Sequence, residues 1–64
     1  MKRTVEFKNK DIAWLCQNDL ENEAGVKVER DITEHNGKYR VVCYPENSSE
    51  EGKANRIIRK YTIG

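Results

Sequence analysis

Apolar and polar positions alternate along residues 26–45, VKVERDITEHNGKYRVVCYP, on both sides of an Asn36-Gly37 pair. Both residues tolerate the positive φ angles that a type I′ turn requires, so the pattern predicts a β-hairpin. A two-residue turn extended along regular strands places Val28 opposite Pro45. Side chains alternate between faces, and the predicted core face, in which Arg30 is the one misfit, carries Val26, Val28, Ile32, Tyr39, Val41 and Cys43.

Two further segments have the apolar spacing of amphipathic helices. In the first, Asn9 is the expected N-cap and Gly25 the residue that ends the helix. In the second, Ser48 and Glu51 have the spacing of a capping box, and the helix should run to about Tyr61. The predicted buried stripes are Ile12, Leu15, Cys16 and Leu20, with Ala13 and Ala24 at the margin, and Ala54, Ile57, Ile58 and Tyr61.

A short alternating segment in residues 1–8 predicts a first strand, which completes the element order β-α-β-β-α. A right-handed crossover makes the first two strands parallel, and the third strand fits between them, antiparallel to both. We therefore predict an α+β two-layer sandwich, with a three-stranded mixed sheet in the order 1-3-2 and two helices on one face. All 64 residues should form a single domain.

Composition narrows the class of protein. The formal net charge is +1, so the chain as a whole is not drawn to nucleic acid or to an anionic membrane. No apolar run approaches the roughly 18 residues of a membrane span. Cys16 and Cys43 are too few for a disulfide framework, and together with His35 they fall short of the usual four zinc ligands. We expect a cytoplasmic protein with two reduced, buried thiols, no metal and no cofactor.

No motif in the sequence supports an enzyme. His35, the single histidine, lies beside the turn and is about 26 Å along the strand from Cys43, at about 3.3 Å per residue, so the hairpin holds no Cys-His pair. Gly-rich phosphate loops and the HExxH, GxSxG and CxxC spacings do not occur. We expect a non-enzymatic protein without a small-molecule substrate, and the motifs assign it to no family.

Two predicted surfaces suit binding to another protein. Trp14 projects almost opposite the buried stripe of the first helix, and tryptophan is enriched among interface hot spots; the alternative is that the chain ends or a neighbouring loop cover it. Arg40, Val42 and Tyr44 share the sheet face away from the core, where a partner or a second copy of the chain would find them. Ordinary cross-strand pairing, such as Tyr44 with Glu29, also explains that face.

The second helix offers a different partner. Lys53, Arg56, Arg59 and Lys60 form one basic stripe, and four cations on a helix face can follow the phosphate backbone of RNA or DNA. The same cations also suit the polar outer face of any amphipathic helix. Residues 11–24 carry acids and no base, and acids near the contact would repel phosphate. We therefore favour a protein-interaction module, such as an accessory or inhibitor factor, over the nucleic-acid alternative.

Overall fold

A computed structural model describes residues 1–63 of the chain, and the side chains of residues 1–62. One sheet is built around its last strand, β4, which pairs with β1 on one side and with β2 and β3 on the other. Both helices pack against the same face of this sheet, so the predicted α+β fold and the strand order 1-3-2 are confirmed. The elements are β1 (Arg3–Phe7), α1 (Lys10–Asn22), β2 (Lys27–Val28), β3 (Thr33–His35), β4 (Lys38–Tyr44) and α2 (Ser48–Ile63).

The predicted second strand is divided into β2 and β3. Near the turn, where Asn36 and Gly37 have φ angles of 53° and 76°, the register is the predicted one. Further along, Val28 lies opposite Cys43 and not opposite Pro45, so the four residues 29–32 stand against two residues of β4. The sheet therefore has four strands. β1 and β2 share a direction as predicted, but every paired neighbour is antiparallel, so the sheet is antiparallel and not mixed.

The extra residues at 29–32 leave the two faces of the hairpin unchanged. An insertion of two residues is even, so the alternation of side chains resumes in phase. The predicted core face is accordingly found in the interior. Val26, Val41 and Cys43 are each 1% exposed, and Val28, Ile32 and Tyr39 pack half-buried against the same core.

Helix α1 begins and ends where its sequence indicates. Asn9 is the N-cap, and its Oδ1 accepts hydrogen bonds from the backbone N–H of Asp11, at 2.8 Å, and from that of the next residue. At the other end Gly25 has a φ of 65°, a conformation that glycine adopts without steric strain. The chain reverses there, and the Val26 N–H bonds to the Leu20 carbonyl at 3.0 Å.

The buried face of α1 is rotated from the predicted stripe. Leu15 was predicted to be buried and is 52% exposed. Gln17 lies in the interior instead, because its side-chain nitrogen donates to the carbonyls of Glu29, at 2.5 Å, and Arg30, at 3.1 Å. A glutamine whose amide is hydrogen-bonded can be buried at little free-energy cost, and it turns the helix about its axis. The buried residues of α1 are Ala13, Cys16, Gln17 and Leu20.

Helix α2 is capped one residue earlier than predicted. Asn47 Oδ1 accepts the Glu50 N–H at 2.9 Å, and the Glu50 carboxylate accepts the Glu46 N–H at 3.0 Å. The predicted capping box is wrong by one position because asparagine caps a helix as well as serine does. The helix continues to Ile63, past the predicted end at Tyr61. Within the described chain, neither helix is long and apolar enough to cross a membrane.

The two cysteines lie in one buried core, as predicted, and both are free thiols. Burial raises the pKa of Cys16 to about 12, and the proximity of Cys43 contributes to the shift. Burial also raises the pKa of Cys43. Both thiols are therefore protonated at neutral pH and act as small apolar groups that fill the core.

Candidate protein-docking groove

A groove of about 530 Å³ runs between α1 and the outer edge of β2. Helix α1 forms one wall, and the chain from β2 into the 29–32 insertion forms the other. We refer to this depression as the Trp14 groove. Its lining residues are Trp14, Gln17, Asn18 and Glu21 from α1, and Lys27, Val28 and Arg30 from the opposite wall.

Trp14 is the large apolar side chain that lines the groove, and it is 43% exposed. Its position follows from the rotation of α1, since the burial of Ala13 and Gln17 turns the side of the helix that carries Trp14 toward β2. Asn18 lies one turn further along that side. Leu15, 52% exposed, extends the exposed apolar surface around the helix. The expected alternative, that the chain ends or a neighbouring loop cover Trp14, is wrong, because 43% of its surface stays exposed.

Gln17 holds the two walls of the groove together. Its amide donates to the carbonyls of Glu29 and Arg30, which begin the 29–32 insertion just after β2. Regular strand pairing stops after the Glu29 N–H, so the carbonyls of Glu29 and Arg30 need another donor. Because Gln17 is only 5% exposed and comes from α1, it fixes the path of the insertion against the helix and places Arg30 at the groove.

The groove has an excess of positive charge although α1 is acidic. Lys27 and Arg30 are exposed, and neither forms an ion pair with any other described residue. Glu21 contributes a single carboxylate from the opposite wall. Glu29 does not line the groove, because its carboxylate lies on the sheet face away from the helices and accepts a hydrogen bond from the Tyr44 hydroxyl at 2.6 Å. Lys27 lies opposite Tyr44 on the edge strand and contributes to the groove from that edge.

At the edge of β2 that borders the groove, the backbone of Val28 has no hydrogen-bond partner among the described residues. The Glu29 N–H donates to the Val42 carbonyl at 2.9 Å, so the N–H of Glu29 points toward β4. Successive residues in a strand point their backbone groups in opposite directions, so the N–H and C=O of Val28 point away from β4. Val28 also lines the groove, so these backbone groups lie at its border.

The other predicted protein-binding surface is largely occupied by contacts within the sheet. Arg40 Nη2 lies 3.1 Å from a carboxylate oxygen of Glu6. The hydrogen bond from Tyr44 to Glu29 raises the pKa of Tyr44. Val42 is only 8% exposed between these pairs. These three residues lie on the sheet face away from the helices, whereas Trp14 lies on the helical side. The predicted protein-binding residues therefore belong to two separate surfaces.

The basic stripe on α2 lies beside the acids of α1. Lys53, Arg56, Arg59 and Lys60 are all exposed, as predicted. Lys60 Nζ is 3.7 Å from the carboxylate of Asp19, and Glu23 shares a depression of about 240 Å³ with Lys53 and Arg56. The charges that are segregated in the sequence therefore partly complement each other within the molecule.

Sequence reasoning missed the roles of Gln17, Lys27 and Arg30. Helical periodicity counts apolar residues, so it gives no sign of a glutamine that is buried by hydrogen bonds to a loop. The positions of the two cations depend on the 29–32 insertion, which alternation does not reveal because its two extra residues preserve the pattern. Arg30 on an otherwise apolar strand face was the one available signal.

Comparisons of the chain with models of protein families, with curated proteins and with solved structures find no match. Among the described residues, no three histidine, cysteine, aspartate or glutamate side chains are grouped so as to hold a metal ion. The chain is thus a small α+β protein with a groove that Trp14 lines between α1 and β2.

Proposed function

We propose that this chain is a small, non-enzymatic domain that binds another protein through the Trp14 groove. The observation that carries the proposal is Trp14, a side chain 43% exposed on the wall of a groove of about 530 Å³. Tryptophan dominates the binding free energy of many interfaces once a partner removes it from water. A partner that covers Trp14 and the neighbouring Leu15 also gains the hydrophobic free energy of burying both.

The hydrophobic core is closed without the Trp14 side chain. Ala13, Cys16 and Leu20 on the same helix are each 0% exposed, and the described core cluster does not include Trp14. A large aromatic side chain outside a closed core remains available for an intermolecular contact. By contrast, a partner on the opposite sheet face would have to compete with the ion pair of Arg40 and Glu6.

Affinity capture with the full chain tests this function. Wild type, Trp14→Ala and Tyr44→Ala serve as baits, and the last is a matched control because it removes an aromatic side chain from the other surface. Each captured protein is then purified, and its binding to all three baits is measured by calorimetry. We expect a partner that binds wild type and Tyr44→Ala and loses affinity for Trp14→Ala. Equal affinity for the three baits would refute docking at the groove.

A second copy of the chain is the simplest such partner. Self-association would bury Trp14 and enlarge the small core area of a 64-residue protein. Analytical ultracentrifugation of wild type and Trp14→Ala over a range of concentrations tests it. A dimer that dissociates in the variant would identify the groove as a homodimer interface, whereas a monomer at all concentrations points to a different protein.

RNA or DNA binding through α2 is the alternative proposal. It is supported by the exposure of Lys53, Arg56 and Arg59, which form no ion pair within the described residues. The adjacent acids Asp19 and Glu23 weaken it, because they reduce the attraction for phosphate. An NMR titration with mixed single- and double-stranded nucleic acid distinguishes the outcomes. Shifts centred on these cations that weaken steeply with salt favour the alternative, and no shift at low salt excludes it.

A further inference from the structure

We infer that the partner segment in the Trp14 groove is an extended, acidic peptide that carries one large apolar side chain. This inference rests on the proposed function and specifies the chemistry of the partner. Three properties of the groove support it: its unpaired cations, its apolar wall and the open backbone of β2.

The charge of the groove selects carboxylates. Lys27 and Arg30 form no ion pair among the described residues, as is true of most cations of the chain, but these two line the groove together. Both unpaired cations stand on the same wall, and the guanidinium of Arg30 can bind a carboxylate through two parallel hydrogen bonds. The acidic residues of the partner are therefore expected to contact Lys27 and Arg30 on the β2 wall of the groove.

The opposite wall determines where the apolar side chain lies. Trp14 offers an aromatic surface on the α1 side, and the Val28 side chain adds aliphatic surface from β2. Glu21, also on α1, disfavours a second acidic contact on that side. The bound segment therefore directs its apolar residue to Trp14 and its acids to Lys27 and Arg30.

The backbone of β2 favours an extended segment over a helix. The N–H and C=O of Val28 point away from β4, and a strand-like peptide can pair with both of them. A helix would satisfy its own backbone groups internally and leave those of Val28 unpaired beneath it. Because β2 contains only Lys27–Val28, strand pairing is short, and the side-chain contacts supply most of the specificity.

Selection from a library of displayed random peptides tests the inference on the folded full chain. The library is first depleted on Trp14→Ala and then selected on wild type. We expect the enriched peptides to share a large apolar residue flanked by aspartate or glutamate. Titration of labelled wild type with the best peptide should shift the Trp14 indole and the amides of Val28 and Arg30 in NMR spectra.

Charge reversal then tests the role of the cations. The double variant Lys27→Glu/Arg30→Glu should bind the selected peptide about tenfold more weakly. The matched variant Lys8→Glu/Lys38→Glu has the same change in net charge outside the groove, and its affinity should stay within about twofold of wild type. The amide spectra of all variants confirm that they are folded, and Trp14→Phe replaces Trp14→Ala if the alanine variant unfolds.

The possible failures are distinguishable. Enriched peptides that depend on Trp14 but lack acidic residues, or that bind both charge-reversal variants alike, would overturn the acidic partner and leave the groove as a docking site. If no peptide distinguishes wild type from the Trp14 variant, the proposed function fails together with the inference.

Discussion

The Asp19 carboxylate on α1 accepts a hydrogen bond from the Tyr61 hydroxyl on α2, across 42 positions of the chain. Lys60 Nζ lies 3.7 Å from the same carboxylate and 5.2 Å from the centre of the Tyr61 ring. The hydrogen bond to Asp19 is the main reason that the pKa of Tyr61 rises to about 12. This contact ties the acidic helix to the basic one.

We expect Tyr61→Phe to lower the free energy of unfolding by about 1 kcal/mol, because it removes this hydrogen bond and keeps the ring in place. Urea unfolding at neutral pH measures the change. Lys60→Gln is the companion variant, and we expect a smaller effect since its ion pair is exposed. A Tyr61→Phe protein as stable as wild type would show that the hydrogen bond between the helices adds nothing.

Stability should fall as the pH rises above about 9. In the folded protein the pKa values of Cys16 and Tyr61 are each about 12, against ordinary values of 9.0 and 10.0. Between these values the unfolded chain releases protons that the folded chain keeps, so alkali favours unfolding. Below pH 9 both groups make their full contribution to the free energy of unfolding, and this contribution is lost as the pH approaches 12.

Urea unfolding at a series of pH values from neutrality to about 11 tests this dependence. Tyr61→Phe should show a shallower decline above pH 10, where the tyrosine contribution begins. Stability that is constant over the whole series would contradict the raised pKa values of both groups.

We expect Gln17→Leu to destabilise the protein by about 1–3 kcal/mol, because the carbonyls of Glu29 and Arg30 lose their donor. Chemical-shift changes should concentrate in residues 29–32, and binding at the groove should weaken as Arg30 loses its fixed position. Asn18→Leu is the control, since Asn18 lines the groove without contributing to these hydrogen bonds. Equal effects of the two substitutions would argue against a positioning role for Gln17.

We expect Trp14→Ala to change the free energy of unfolding by about 1 kcal/mol or less, because Trp14 lies outside the core. Leu20→Ala, at a fully buried position of the same helix, should cost about 2–5 kcal/mol. Trp14 is the only tryptophan, so quenching of fluorescence by a neutral quencher reports its exposure directly. A strongly protected tryptophan in the monomer, or a large loss of stability in Trp14→Ala, would contradict its position on the groove wall.

The parts of the fold that depend on neighbouring residues were predictable from the sequence. The Asn36-Gly37 turn determines the pairing beside it, and Asn9 and Gly25 mark the ends of α1 through local hydrogen bonds and backbone preferences. The exposure of the basic stripe on α2 was also predictable, because it follows from helical periodicity alone.

The groove was not predictable, because it depends on contacts between distant parts of the chain. Gln17 is buried by carbonyls that lie 12 and 13 positions later, and its burial brings Trp14 to the groove and leaves Leu15 exposed. The registry change after Val28 has no local signal, since an even insertion leaves the alternation of apolar residues intact. Sequence patterns identified Trp14 as a candidate binding residue but did not predict that Lys27, Val28 and Arg30 line the opposite wall of the groove.

The insertion at 29–32 lets the outer surface of this protein diverge independently of its interior. A descendant that lost two of these residues would join β2 to β3 in one continuous strand with the same side chains facing inward. Loss of a single residue would instead turn Val26 and Val28 to the outside and expose the core. Only changes of an even number of residues are therefore compatible with the core, and such changes can alter the groove wall around Arg30 while the hydrophobic interior stays the same.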